Sequence, residues 1–389
     1  STARPSGTAR RPRRQRVPRN RVPDDILNDP ELQRAIAKLP SNYNFEVGKT
    51  VWRIRESAAR RVALQFPEGL LMYACVIVDI LERFGPCDEC VVMGDVTYGA
   101  CCVEDLTAAA LGCDLLVHYG HSCLVPLAAT AVRCLYVFVD IAIDVDHLVA
   151  CVEKTLASDR KLAVMGTIQF GPAVHAAREA LAARFAAADV PQAKPLSPGE
   201  VLGCTSPVVG ANCDAMVFVA DGRFHLEAAM IRNPSVEAYR YDPYSKVMTR
   251  EYYETAKMLA LRRAAVDRAC GAAVVGVILG TLGRQGNPGI VRHVCSLLRA
   301  RGRQSFVLLL SEIFPAKLAL FSGKVDAWVQ VACPRLSIDW GHLFDAPVLS
   351  AYEAEGNGGE KLGRDHYPMD YYANGSGPWT NQFEKRTAT

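Results

Sequence analysis

No apolar run in this 389-residue chain approaches the roughly 18 residues that a bilayer span needs, and no apolar h-region follows its polar, arginine-rich start. The protein is therefore expected to be soluble and cytoplasmic. In that compartment thiols stay reduced, so disulfides do not account for the 14 cysteines. The cysteines also lack a local pattern. CxxC occurs once, at Cys87-Asp-Glu-Cys90, with no second pair to complete a structural zinc site, and CxxxCxxC does not occur. Most of these cysteines read as small core hydrophobes.

Acids are absent from residues 1–22, which hold eight of the 44 basic residues, all arginine. The net charge of +3 thus belongs to this arm, since the rest of the chain carries 36 basic against 41 acidic residues. With four prolines by residue 23, segment 1–22 is expected to be a disordered, solvated tail, and nucleic-acid binding is not expected. Half of all residues are apolar, enough to fill two or three cores.

A helical lead-in is expected over 23–60, with Asn28 or Asp29 as cap, Pro30 in the first turn and Leu32, Ile36 and Leu39 on one face. From Arg61 the chain repeats at a period of about a hundred residues. First strands read RVALQFPEG (61–69), KLAVMGTIQF (161–170) and AAVVGVILGTLG (272–283). Second strands are placed at 89–95, 200–204 and 304–312. Third strands share an acid followed by an apolar run, at CDLLVHYGHSC (113–123), CDAMVFVADGRFH (213–225) and VDAWVQVACPRLS (325–337). Fourth strands follow at 134–140, 236–242 and 346–353. Helical stretches at 71–84, 173–188 and 290–301 alternate with them. The pattern predicts an α/β fold of three similar domains, 61–145, 146–255 and 256–353, each a four-stranded mainly parallel sheet with flanking helices. Segment 354–389 reads as a tail whose tyrosines and Trp379 dock on protein.

Beyond the carboxyl ends of such strands, where ligands gather, lie three cysteines in turn-forming surroundings: Cys101 in GDVTYGACCVED, Cys204 in VLGCTSP and Cys333 in VQVACPRLS. Cys101 and Cys204 follow second strands and Cys333 a third, so the repeat does not make them equivalent. Cys113 and Cys213 occupy the slot of Val325 and read as core. His121 and His225, in equivalent loops, read as structural.

The segments GDVTYGACCVEDLTA, VLGCTSP, VILGTLGRQGNPG and VQVACPRLSIDWG, in this order, closely resemble the first subunit of eukaryotic diphthamide synthase, the 2-(3-amino-3-carboxypropyl)histidine synthase family. The resemblance runs from about Arg21 to Glu353. It implies three α/β domains around one central 4Fe-4S cluster, with Cys101, Cys204 and Cys333 as ligands and an iron left open for substrate. Cys101 is preferred over Cys102, because relatives with one cysteine here resemble YGACD. The resemblance further implies a noncanonical radical enzyme that moves the 3-amino-3-carboxypropyl group of S-adenosylmethionine to a histidine of translation elongation factor 2. Gly283, Arg284, Gln285 and Arg335 are then the candidates for the substrate's carboxylate and amine, arginine being suited to a bidentate grip. The implied partners are a homologous second subunit in a heterodimer, the elongation factor, and a small iron-binding electron donor with its reductase. Two other readings stay open: an iron–sulfur electron-transfer or scaffold subunit of the same heterodimer, and a three-lobed binding protein whose cysteines are only core.

Overall fold

The computed structural model describes residues 21–211, 213–356 and 367–381. Most of the arginine-rich arm and part of the C-terminal tail lie outside the described residues.

Three sheets of four or five strands, each with helices packed on it, make up most of the fold, and a two-stranded antiparallel pair, Tyr43–Asn44 with Asp140–Ile141, ties the lead-in to the end of the first lobe. The first holds β1 (Arg61–Gln65), β2 (Glu89–Met93), β3 (Leu115–Tyr119) and β4 (Arg133–Val137), all parallel in the order β2-β1-β3-β4. Its central strands are buried on both faces and mostly apolar, and the two polar side chains they bury, Gln65 and His118, bond each other at 2.9 Å. The lead-in covers this lobe. Asp29 caps the Pro30–Ile36 helix by accepting from the backbone N–H of Glu31 and Leu32, and Val51 and Ile54 of the Val47–Ser57 helix are fully buried.

The second sheet departs from expectation. Its strands are β5 (Lys161–Gly166), β6 (Ala187–Asp189), β7 (Ala215–Val219), β8 (Glu237–Asp242) and β9 (Val247–Glu251), in the order β9-β8-β7-β5-β6. It has five strands instead of four, because β9 folds back antiparallel on β8. The second strand is β6, not 200–204. The expected helix stops at Ala182, and Ala187–Asp189 pairs with β5. Alanine-rich sequence favours helix locally, yet edge pairing outweighs so weak a preference over three residues. Segment 200–204 is apolar because it is a buried turn: Gly166 bridges Glu200, and Leu202 and Thr205 close on each other around Gly203.

The third sheet follows the prediction, with β10 (Val274–Gly280), β11 (Gln304–Leu310), β12 (Ala327–Val331) and β13 (Val348–Ser350) parallel in the order β11-β10-β12-β13. The acid repeated before each third strand has one role in all three lobes. Asp114 accepts from the backbone N–H of Arg60 and Arg61, Asp214 from Lys161, and Asp326 from Ala273 and Val274. Each carboxylate pins the start of the third strand to the start of the first.

The C-terminal segment 367–381 docks on its own chain. Tyr367, Met369, Tyr371 and Tyr372 enter the core that the second and third lobes share, and Trp379 packs edge-on against Tyr352. At that seam Arg262 is buried with Glu353, which it meets through Nε at 2.6 Å and Nη2 at 2.7 Å. Its other contacts are the carbonyls of Ser337 and Val348, while Tyr367 donates to Glu353 at 3.1 Å. Replacing Arg262 by leucine strands the Glu353 carboxylate in the core. The expected cost is about 3–5 kcal/mol, read as a lower urea midpoint. Arg262→Met with Glu353→Gln should lose clearly less.

Candidate functional site

Because the sheets are mainly parallel, the loops leaving their parallel strands open at one end of each lobe. Loops from all three lobes meet there around a cavity of about 560 Å³, and the side chains of Cys101, Cys204 and Cys333 line it together. Apolar groups, among them Leu202, Phe224, Phe314 and Trp340, form most of the remaining wall.

Cys101 lies on a turn closed by the Cys102 N–H donating to Gly99 O at 2.9 Å. A loop of the third lobe holds that turn. The Arg284 N–H donates to Cys101 O at 2.8 Å, the Gly283 N–H donates to Glu104 at 2.7 Å, and the Arg284 guanidinium grips both oxygens of buried Asp105 at 2.7 and 2.5 Å. Gly283 has φ of +54°, and a Cβ there would stand 2.5 Å from the carbonyl carbon of Cys102, so only glycine permits this approach. Burial alone would raise the Asp105 carboxyl; the bonds from Arg284 hold it below its usual range. Gln285 lines the cavity and donates to Cys102 Sγ at 3.4 Å. Cys102 itself is fully buried and does not face the cavity.

Cys204 sits in the turn after Gly203, on which Phe224 packs so closely that a Cβ would fall 2.1 Å from its ring. The tail braces this turn. The Tyr371 N–H donates to Cys204 O at 3.3 Å and the Tyr372 N–H to Thr205 Oγ1 at 3.0 Å. The buried Tyr372 phenol lies within electrostatic reach of Cys101, Cys204 and Cys333, a neighbour that its clustered tyrosines alone did not disclose.

Cys333 immediately precedes the Pro334–Trp340 helix without a side-chain capping bond, and Gln330 donates to its carbonyl at 2.9 Å. Two residues on, Arg335 is buried and fully engaged. It meets Asp339 at 2.9 Å, Glu227 at 2.5 Å and the Phe224 carbonyl at 2.7 Å, with its guanidinium carbon 4.3 Å above the Phe224 ring. Arg284 and Arg335 therefore do grip carboxylates, but those of Asp105, Glu227 and Asp339. Of the four residues expected to meet a substrate carboxylate and amine, Gln285 presents its side chain to the cavity without a competing acid.

The three thiols are half-buried in the cavity wall. Cys101 is raised well above the ordinary range by its bond with Cys102, by burial and by the nearness of Cys204 and Cys333. Burial, then Cys333, pushes Cys204 up to about 12, and burial raises Cys333. Three thiolates here require a cationic centre to offset desolvation and mutual repulsion. Among the described residues no three His, Cys, Asp or Glu side chains are grouped to hold a single metal ion. One zinc would need its sulfurs converging at about 2.3 Å. A cluster whose ligands bond different irons makes no such demand, and three thiols around one cavity, with a fourth position open, fit it. Cys87 and Cys90, 3.9 Å apart, begin β2 and lie at the opposite end of the first sheet.

The model of the diphthamide synthesis protein family matches residues 66–368. The 2-(3-amino-3-carboxypropyl)histidine synthase subunit 1 of Gallus gallus is 56% identical over 369 residues, 94% of this chain and 90% of that protein. The protein of the same name from Homo sapiens is 56% identical over 376 residues, 95% of this chain and 85% of its own. A solved structure, Dph2 from Pyrococcus horikoshii with a 4Fe-4S cluster, matches with a TM-score of 0.70 and 26% identity, covering 85% of this chain and 94% of that chain.

If Arg284 holds the Cys101 turn, Arg284→Met leaves Asp105 buried without its cation. The cost is expected to be about 2 kcal/mol, less than for a fully buried pair because Arg284 keeps some solvent contact. Hydrogen exchange should quicken over residues 99–105 while the amides of β5 and β7 keep their protection.

Proposed function

Since the chain belongs to the diphthamide synthesis protein family, we propose that it transfers the 3-amino-3-carboxypropyl group of S-adenosylmethionine to a histidine of translation elongation factor 2. The observation that carries this reading is the meeting of Cys101, Cys204 and Cys333, one from each lobe, at a single cavity. These three residues would hold a 4Fe-4S cluster. When bound, such a cluster supplies the electron for reductive cleavage of a sulfonium carbon–sulfur bond, a radical chemistry that belongs to the cofactor.

The chain's own residues position and shield. Arg284 and Arg335 fix the Cys101 and Cys204 turns, while Phe224, Phe314 and Trp340 limit water. Gln285 offers an amide to the amine or carboxylate of the substrate. Reacting atoms must be held within about 3–3.5 Å, and walls fixed this firmly are suited to that.

The relatives are named as subunit 1, in keeping with a heterodimer formed with a homologous second chain. The edge strand β11, with Val307 and Leu309 exposed beside Phe314 and Leu320, is a surface such a chain would cover. A small iron-binding donor and its reductase would supply electrons. Among the described residues no helix is long and apolar enough to cross a membrane, in keeping with action in the cytoplasm.

The test is anaerobic reconstitution with iron and sulfide, alone and with the second subunit, followed by turnover with dithionite. Alanine at Cys101, Cys204 or Cys333 is expected to lose most of the iron with little change in fold, whereas Cys113→Ala keeps it. The wild-type complex should release 5′-methylthioadenosine in step with a mass gain on the elongation factor. Mainly 5′-deoxyadenosine, or bleaching by Cys102→Ala in place of Cys101→Ala, would count against this assignment.

A further inference from the structure

The motif Cys87-Asp-Glu-Cys90 takes no part in the thiol-lined cavity. It joins the end of the Ala74–Phe84 helix to β2, at the opposite end of the first sheet from Cys101. Its two sulfurs lie 3.9 Å apart, and both side chains are half-buried against the core of the first lobe.

The backbone around the pair is held on both sides. Arg60 O accepts from the N–H of Asp88 at 2.7 Å and from that of Glu89 at 3.3 Å, while the Arg60 guanidinium meets the Asp88 carboxylate at 2.7 and 2.6 Å. The Cys90 N–H donates to Glu82 at 2.8 Å, and Cys90 pairs with Val62 of β1 in the parallel register. Cys90 is thus fixed at a strand start. Cys87 stands on the turn before it, its sulfur 3.5 Å from Leu81 O, so bringing the sulfurs to the roughly 2 Å of a disulfide falls to the Cys87 side chain.

Among the described residues no third His, Cys, Asp or Glu is grouped with the pair to hold a metal ion. The two thiols are also unequal. The bond from Cys90 holds the Cys87 thiol below its ordinary range, against burial and the carboxylates of Glu82 and Asp88. That same bond, then burial, raises Cys90, and Glu82 and the buried Cys113 add to the rise. A sulfur with thiolate character beside one that keeps its proton divides the work as thiol–disulfide exchange requires: the first attacks and the second resolves.

We propose that Cys87 and Cys90 form a reversible dithiol–disulfide site that exchanges with small disulfides of the glutathione class, with Cys87 as the attacking sulfur and Cys90 as the resolving one. The Cys87 thiolate attacks one sulfur of the small disulfide; that bond breaks, a mixed disulfide to Cys87 forms, and one small thiolate leaves. Cys90 then loses its proton to solvent and attacks Cys87 Sγ, expelling the second small thiolate. Two protein thiols are oxidised to one disulfide, and one small disulfide is reduced to two thiols. Closing so short a loop removes little chain entropy, so the bond adds little stability and is readily returned to the dithiol. The site is independent of the function proposed above, since none of its residues lines the thiol cavity.

The experiment equilibrates the full chain, as purified, in buffers of reduced and oxidised glutathione, quenches with acid, alkylates the remaining thiols and maps each cysteine by peptide mass. The pair is expected to be half-oxidised at a ratio at least about tenfold more reducing than the one that half-modifies the exposed Cys75 or Cys270, because its second step is intramolecular. Cys90→Ser should stop at the mixed disulfide, with one glutathionyl group on Cys87, and Cys87→Ser should leave Cys90 reduced. A wild-type chain in which Cys75 and Cys270 carry glutathione before any Cys87–Cys90 bond appears overturns the proposal without needing a variant. A Cys87→Ser protein that takes glutathione on Cys90 as readily as Cys90→Ser takes it on Cys87 overturns the assigned roles.

Discussion

Three loops from three sheets face one cavity only if their separations are fixed, and two arginines of the third lobe fix them. Arg284 reaches into the first lobe to Asp105 while its backbone N–H bonds Cys101 O, and Arg335 reaches into the second to Glu227 and to the carbonyls of Gly203 and Phe224. Buried ion pairs contribute little net stability, because desolvation offsets most of the attraction. The bidentate Arg284–Asp105 pair and the several bonds of the planar Arg335 guanidinium do set distance and angle. The cysteine turns are thus referenced to the third lobe, which carries Cys333 directly. The Arg262–Glu353 pair does the same one layer out, tying the helix before β10 to β13 and the docked tail.

Much of this architecture was legible because it repeats. An acid followed by a mostly apolar five-residue strand marks every third strand, and the contacts of Asp114, Asp214 and Asp326 give that signature its cause. Ala187–Asp189 was not legible: its alanines carry a helical preference, and only the neighbouring β5 makes them a strand. β9 escaped notice for a similar reason, being a polar return strand paired on one side only.

Within the site, the cysteines were readable from their glycine- and proline-marked turns together with family resemblance. The partners of the arginines were not. Arg284 and Asp105 lie 179 residues apart, and Arg335 and Glu227 108 apart. An arginine beside a cysteine invites a substrate role when its acid is that distant in sequence. Tyr372 was hidden differently: its segment has no helix or strand period, so nothing local indicated that it returns to the turn beside Cys204.

The spent arginines have an electrostatic consequence. Each guanidinium facing the cavity region is already neutralised by an acid, so the walls add little net positive charge where the thiols converge. Thiolates gathered at such a wall are held only by a cation, and under the function proposed above a cationic sulfonium approaching them would meet no opposing arginine field. A free arginine at the same place would bind a carboxylate well but repel the sulfonium and compete with the metal for the thiolates. Under that reading, the internal carboxylates leave the cavity free of unpaired guanidinium charge. A neutral amide such as Gln285 can then orient a zwitterionic amino acid group without disturbing that balance.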